Sequence, residues 1–569
     1  SIRSTRKNDN YCALVEWSPS TRHTFGTNFV HLLRMNKKNI FSKSNLSTPT
    51  SIILLIFTVM IALLFAGCKQ HSKDFEPYIV STNDGNLAFF AATLQGNQGE
   101  GTSATTSEGP RITITPAPLY ATPTPITPQI LPTLRIDEEL YTIQSGDSLA
   151  GIALHNQVSV RQIVDANSIE NPDLINPGEV IIIPPASANE LASNFRIIPD
   201  SEIYYGPSVK DFDIESIIWQ FNGKLNRYKE ELDDGSELTG AEIVRRVANE
   251  QSVNPRLLLA LVEHQSGCLR SQNDSCDLEN YPLGLVNSSR QGLYTQLSWA
   301  ANELLRGSGL WQKSLLAVWT LADGDVMRID ASINAGTAAL QHLFSLIQGK
   351  EAWKQSVSKT GFYQTYSELF GYPFTFSIDP LLPEDLAQPY LILPLAEGDE
   401  WLLTSGPHWA WGTGSPWAAL DFAPPGEDDD YGCYFSNAPV LAAADGLVVR
   451  SEGAAVVIDL DGDGYEQTGW TLNYFHISEA SSIPVGTRVA TGDVIGISSC
   501  EGGVTNGTHF HLARRFNGIW IDAGGEIPFN LGGWIAKSYG IVYDGSLTKD
   551  GVTVEAYNGR SEINKICNP

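Results

Sequence analysis

The chain has 569 residues, with 64 acidic against 37 basic side chains, a formal net charge of −27 and 7 cysteines. That length holds three or four domains and more than one core. The acidity is spread along the chain with no basic stretch suited to nucleic acid, which argues against a nucleic-acid partner and against peripheral docking on anionic lipid.

Residues 1–34 contain no methionine and no amphipathic period, and read as an upstream extension. Met35 opens a leader spanning 35–68: Asn36-Lys37-Lys38 and Lys43 are basic, Ser51 to Gly67 is almost uncharged and apolar, and Phe65-Ala66-Gly67-Cys68 follows. This order resembles the lipobox of bacterial lipoproteins, which implies cleavage before Cys68 and lipidation of Cys68. The alternative is a signal anchor, since roughly 17 apolar residues are borderline for spanning a bilayer. Either reading places the rest outside the cytoplasmic membrane, in the cell envelope, lipid-anchored or secreted. Residues 69–135 form a linker, Thr/Pro-rich from Thr113 to Pro132, which favours extended polyproline geometry.

Residues 136–186 read as a β-α-α-β unit. Leu140–Ile143 is a strand, Ser145-Gly146-Asp147 turns with Asp147 as a helix cap, and Ser159-Val160-Arg161-Gln162 is a capping box opening a second helix closed by Asn167. Asn176-Pro177-Gly178 turns into a last strand. The run from Tyr141 to Leu149, Asn167 and Asn176-Pro177-Gly178-Glu179 resemble a LysM domain, which implies binding to the N-acetylglucosamine glycan of peptidoglycan or chitin.

Residues 200–385 read as helical. Thr239-Gly240-Ala241-Glu242 is a capping box, Asn254-Pro255 a cap with proline at the first helical position, and Leu257–Val262 is apolar all round and expected buried. Further helices are expected over Leu293–Leu305, Trp311–Leu321 and Thr337–Ile347. The stretch Asn254–Gly267, with Tyr281–Leu285, looks like the first active-site helix of lytic transglycosylases, which implies a lysozyme-like shape. Those enzymes carry a glutamate general acid directly before the serine. Gln265 stands there and cannot donate that proton, while Glu263 points elsewhere on the helix. An inactive domain is expected, with glycan positioning as its residual role.

From 390 to 545 short β-type runs broken by Gly and Pro replace the helical pattern, which points to a mainly antiparallel sheet; 546–569 reads as a tail. In Gly507-Thr508-His509-Phe510-His511-Leu512, the period of two puts His509 and His511 on one face, Phe510 and Leu512 on the other. With His408, Asp421 and His476 these residues make a set from which a hydrolytic zinc site can draw three ligands and two proton carriers. Spacing alone does not say which three bind the metal.

Thr404–His408, Leu420–Ala423, Tyr474–His476 and Thr508–His511 resemble zinc endopeptidases of the lysostaphin type. The thirteen-residue step from His408 to Asp421 resembles the beta-lytic and staphylolytic branch, most relatives having a step of four. The resemblance implies zinc on His408, Asp421 and His511, catalysis by His476 and His509, and hydrolysis of peptidoglycan peptide cross-links. A non-enzymatic wall-binding protein or amidase activator is the competing reading. Cys268 and Cys276, and Cys433 and Cys500, are candidate disulfides suited to an oxidising compartment. Asp459, Asp461 and Asp463 resemble the opening of a calcium loop but lack the bidentate glutamate, leaving calcium or an acidic hairpin turn. Trp401, Trp409, Trp411 and Trp417 read as core and groove wall.

Overall fold

The computed structural model describes residues 128–568, apart from 146, 170, 173, 187, 189, 274 and 427–431. The extension 1–34, the leader with Cys68 and the linker before residue 128 lie outside the described residues.

The first unit is the expected β-α-α-β: β1 (Glu139–Thr142), α1 (Leu149–His155), α2 (Val160–Asn167) and β2 (Val180–Ile183), with β1 and β2 antiparallel. Its core is Ile143, Leu149, Ile152, Ile163, Ile181 and Ile183. The Ser159/Gln162 capping box forms, and the Asn167 side chain ties α2 to β2 through the N–H and carbonyl of Ile182. Asp147 does not cap α1. Its carboxylate takes the Tyr141 hydroxyl and the Gln144 N–H, closing the turn, and the Ser148 hydroxyl accepts from Gly151 N–H at the helix start. The end of the linker is also more than a spacer: Gln129 N–H donates to the Ala331 carbonyl, and Arg135 reaches the carbonyls of Ile183 and Pro184.

The helical unit contains α3 (Ile214–Phe221), α4 (Gly240–Gln251), α5 (Pro255–Ser266), α6 (Leu293–Gln312), the hairpin β3 (Val318–Thr320) and β4 (Val326–Arg328), then α7 (Ala335–Ile347), α8 (Lys350–Ser356) and α9 (Phe362–Phe370). The caps on Thr239 and Asn254 form as the sequence requires, and Leu257–Val262 is fully buried. The helix expected over Trp311–Leu321 is not there. The chain leaves α6 at Gln312, Ser314 turns in the left-handed region, and Val318-Trp319-Thr320 pairs with Val326–Arg328 around Asp323-Gly324. A β-branched and aromatic run before an Asp-Gly turn favours the hairpin over more helix. Glu263 accepts from Arg270, so neither it nor Gln265 is presented as a free acid.

The C-terminal unit is built on a nine-stranded antiparallel sheet. Its strands are β5 (Glu400–His408), β6 (Ala419–Ala423), β8 (Gly446–Glu452), β9 (Ala455–Asp459), β10 (Trp470–Phe475), β11 (Arg488–Val489), β13 (Phe510–Phe516), β14 (Ile519–Trp520) and β19 (Lys565–Cys567). The order is β11-β8-β9-β10-β13-β6-β5-β19, with β14 beside β13. β7 (Pro439–Leu441) and β12 (Val494–Ile497) form a separate pair, and β15 (Asn530–Leu531), β16 (Trp534–Ser538), β17 (Gly545–Lys549) and β18 (Val552–Glu555) a second, four-stranded sheet.

Residues 546–569 are therefore not a tail. β17, β18 and β19 contribute Leu547, Val554 and Ile566 to the core, and Asp550-Gly551 turns with both φ angles positive, as a tight two-residue hairpin needs. Period-two alternation sorts β13: Phe510 and Leu512 enter this core, while Ala513 packs with Ala410, Ala418, Ala419 and Trp520 into the core of the helical unit. Trp401 is core, in edge contact with Phe510, whereas Trp409, Trp411 and Trp417 are half-buried.

Candidate metal centre

Sheet register assembles the site. Across the β13–β6 pair His511 stands opposite Asp421, and across β13–β10 it stands opposite Phe475, the residue before His476. β5 ends on His408, opposite Ala419. Three segments far apart in sequence thus deliver His408, Asp421 and His511 to one point, all under a tenth exposed, with one ligand atom from each within 4.8 Å of the others.

Protonation follows from the hydrogen bonds. His408 Nδ1 lies 2.8 Å from the Gly406 carbonyl and His511 Nε2 lies 2.8 Å from the Ala410 carbonyl. A carbonyl only accepts, so those nitrogens carry the hydrogens and the inward atoms, His408 Nε2 and His511 Nδ1, present lone pairs when neutral. The two face each other at 3.2 Å, and Asp421 Oδ1 lies 3.3 Å and 3.1 Å from them without a well-directed hydrogen bond. Three converging lone pairs repel unless a cation sits among them. Although burial opposes it, the imidazoles of His408 and His509 hold the Asp421 carboxyl well below its usual range; the Asp421 charge in turn raises His408 against the effect of burial. Two nitrogens and one carboxylate oxygen, each imidazole braced by a carbonyl behind it, are a donor set that fits zinc.

His509 and His476 flank this point. His509 Nδ1 donates to the Gly507 carbonyl at 2.7 Å, leaving Nε2 as a lone pair 3.7 Å from Asp421 Oδ1. His476 Nδ1 donates to the Glu501 carbonyl at 2.9 Å, and its ring centroid is 4.5 Å from that of His509. Burial and the neighbouring His509 push the His476 pKa down to about 3, so its imidazole is neutral. His476 also has φ 58, a conformation uncommon for a side chain of its size and concentrated at functional sites.

Tyr543 was not singled out by the sequence. Its ring stacks on His408 at 4.8 Å, and its carbonyl accepts from Gly406 N–H, which aims the Gly406 carbonyl at His408. A Cβ on Gly406 would lie 2.7 Å from the Gly545 nitrogen, so only glycine admits this approach. No spacing rule links Tyr543 to the histidines; the glycines at both ends of the contact were the available signal.

Cys433–Cys500 and Cys268–Cys276 are both disulfides. The carboxylates of Asp459, Asp461 and Asp463 gather, but Asp459 accepts the N–H groups of Asp461, Gly462 and Gly464, the bonding of an acidic hairpin turn.

Comparison with known families gives three matches: the LysM domain over residues 141–184, the LasA N-terminal domain over 196–382, and peptidase family M23 over 430–523. The chain carries a LysM domain and a family M23 peptidase domain. The M23 match contains His476, His509 and His511, while His408 and Asp421 precede it and join through β5 and β6. For the helical unit, the LasA N-terminal family is what the match supports, not the lysozyme-like resemblance. An uncharacterised protein of Deinococcus radiodurans is 44% identical over 50 residues, 8% of this chain and 20% of that protein, so the chain spans about a fifth of that relative's length. Among solved structures, the M23 metalloprotease pseudoalterin is 22% identical over 31% of this chain and 99% of its own, with a TM-score of 0.25. Lysostaphin of Staphylococcus simulans is 19% identical over 30% of this chain and 81% of its own, with a TM-score of 0.15.

Proposed function

We propose that the protein is a zinc-dependent endopeptidase that cleaves peptide cross-links of peptidoglycan in the cell envelope, held on the glycan by its LysM domain and at the membrane through its leader. The observation that carries the reading is the convergence of His408 Nε2, His511 Nδ1 and Asp421 Oδ1 at one buried point, with the outer nitrogen of each imidazole on a backbone carbonyl. Zinc bound there would polarise a peptide carbonyl and acidify a bound water.

The remaining work belongs to the chain. His509, with Nε2 uncommitted and aimed at the centre, takes the proton of the attacking water and returns it to the leaving amine. His476, with Nδ1–H fixed by the Glu501 carbonyl and its ring beside that of His509, keeps Nε2 as a lone pair and serves as a second proton acceptor for the attacking water. Half-buried Trp409 packs against Tyr543, itself stacked on His408, and half-buried Trp411 packs against Phe475, so aromatic rings border the histidines.

The test is metal analysis of the purified chain together with release of free amino groups from cross-linked peptidoglycan. One zinc per chain, with both metal and release lost in His511→Ala, is expected. Folded protein that binds no zinc and releases nothing supports the wall-binding scaffold instead.

A further inference from the structure

The residues between His408 and Asp421 form a compact loop, Trp409–Ala418. Two ligands on adjacent antiparallel strands could be joined by a short hairpin; this longer segment goes elsewhere. It folds on itself, Ala410 N–H donating to the Pro416 carbonyl and Ser415 N–H to that of Gly412. On one side it supplies the Ala410 carbonyl that receives His511 Nε2–H, and its Trp411 packs 4.4 Å from Phe475, opposite His511 in the sheet.

The loop's other side meets α6 of the helical unit. Gly414 N–H donates to Asn302 Oδ1 at 2.7 Å, and Arg306 Nη2 donates to the Thr413 hydroxyl at 2.5 Å. A Cβ on Gly414 would lie 2.0 Å from the Asn302 carbonyl oxygen, so the backbones touch. Arg306 is itself held, its Nε on Glu303, whose carboxylate also takes His342 of α7. A second attachment lies at the far end of β13, where Arg515 bonds Ser252, Ser252 bonds the Gly518 carbonyl and Trp520 bonds the Gln251 carbonyl.

We infer that the helical unit is the mount of the metal centre: Asn302 and Arg306 are positioning residues that fix the Trp409–Ala418 loop, and through the Ala410 carbonyl they set the tautomer and orientation of His511. This rests on the zinc reading of His408, Asp421 and His511. It gives the long inter-ligand segment a purpose, since only the added residues reach α6. It also gives the helical unit a role that needs no glycan and no general acid.

Cobalt(II) is the probe, bound by the full-length protein freed of metal, with affinity read by competition against a chelator and geometry by the visible absorption of the bound ion. Thr413→Val removes the Arg306 acceptor, Thr413→Ser keeps it, and Gly414→Ala pushes the loop off α6. Wild type and Thr413→Ser should bind one equivalent alike. Thr413→Val and Gly414→Ala should bind about tenfold more weakly or worse, the scale of changes in the shell behind metal ligands, with an altered spectrum. Thr413→Val with wild-type affinity and spectrum overturns the mount while leaving the metal site standing. Equal losses in Thr413→Ser and Thr413→Val overturn it too, because the hydroxyl would then not matter. Wild-type protein that takes up no cobalt sinks the zinc reading and the mount with it.

Discussion

Asp421 Oδ1 lies 3.1 Å from His511 Nδ1, directly across the β13–β6 pair, buried and without a well-directed hydrogen bond. A carboxylate facing imidazole lone pairs is costly to bury alone and favourable around a cation. Chelation should therefore lower the melting temperature, and added zinc should raise it by the mass-action gain of binding only the folded state. In Asp421→Ala the metal-free protein should melt lower than metal-free wild type, because the attraction between Asp421 and the His408 and His509 imidazoles has gone, and zinc should no longer raise the transition. Calorimetry with and without zinc checks both halves. A zinc-dependent rise persisting in Asp421→Ala would remove Asp421 from the ligand set.

His476 and His509 should separate from the ligands kinetically. Neither belongs to the converging set of His408, Asp421 and His511, and each has one ring nitrogen committed to a carbonyl and the other available to carry a proton. His476→Ala and His509→Ala are expected to keep one zinc per chain while kcat falls on the order of 10² to 10⁴-fold, with a much smaller change in KM. Metal content and steady-state kinetics on a soluble cross-link peptide measure this. Loss of zinc in His509→Ala would make it a ligand.

Much of this site was legible because polar residues interrupted an apolar alternation: His509 and His511 could share a face only if Phe510 and Leu512 filled the other, and β13 does sort that way. The long inter-ligand step was also visible, but not its purpose, since Arg306 and Thr413 are 107 residues apart and share no period. The errors have local causes. Trp311–Leu321 has helical composition, yet Asp323-Gly324 turns it into a hairpin, and Asp550-Gly551 does the same for the supposed tail. Each dipeptide lies between two runs containing β-branched residues, the pattern of a hairpin.

The Cys433–Cys500 disulfide anchors the loop that holds His476 in place. Residue 501 follows Cys500 directly, its carbonyl fixes His476 Nδ1, and its carboxylate takes Ser478 and the Glu479 N–H. Freed at Cys500, this loop would let the His476 ring drift, and a shift of about 1 Å in a catalytic group can cost on the order of a hundredfold. Cys433→Ser/Cys500→Ser is expected to lose ten- to a hundredfold in kcat, with zinc content unchanged, as His408, Asp421 and His511 stand on strands outside the loop. Parallel metal and rate measurements on the double variant decide it: full activity would leave the disulfide a role in stability alone.

The helical unit should lose stability as pH rises. Burial pushes the Glu202 pKa up to about 7 and that of Asp200 up to about 6, against the opposing pull of Arg256 on the first and of the Gly336 N–H on the second. Glu202 is fully buried, takes Tyr366 and Asn254 on one oxygen, and leaves the other without a partner. A carboxyl whose folded pKa exceeds its unfolded value favours the folded state below the unfolded value, here 4.5, and that contribution is lost as pH climbs through the folded value. For Glu202 the loss between about pH 4.5 and pH 7 is on the order of 3 kcal/mol. Glu202→Gln keeps the volume and cannot ionise, so its stability should fall less steeply between pH 5 and pH 8, the residual slope coming from Asp200. Below about pH 7 the wild-type carboxyl is itself neutral, so wild type and Glu202→Gln should differ least there, and at pH 8 the variant should be the more stable of the two. Denaturant unfolding followed by tryptophan fluorescence across that range gives both quantities, and an unchanged slope in Glu202→Gln would mean that Glu202 does not carry the titration.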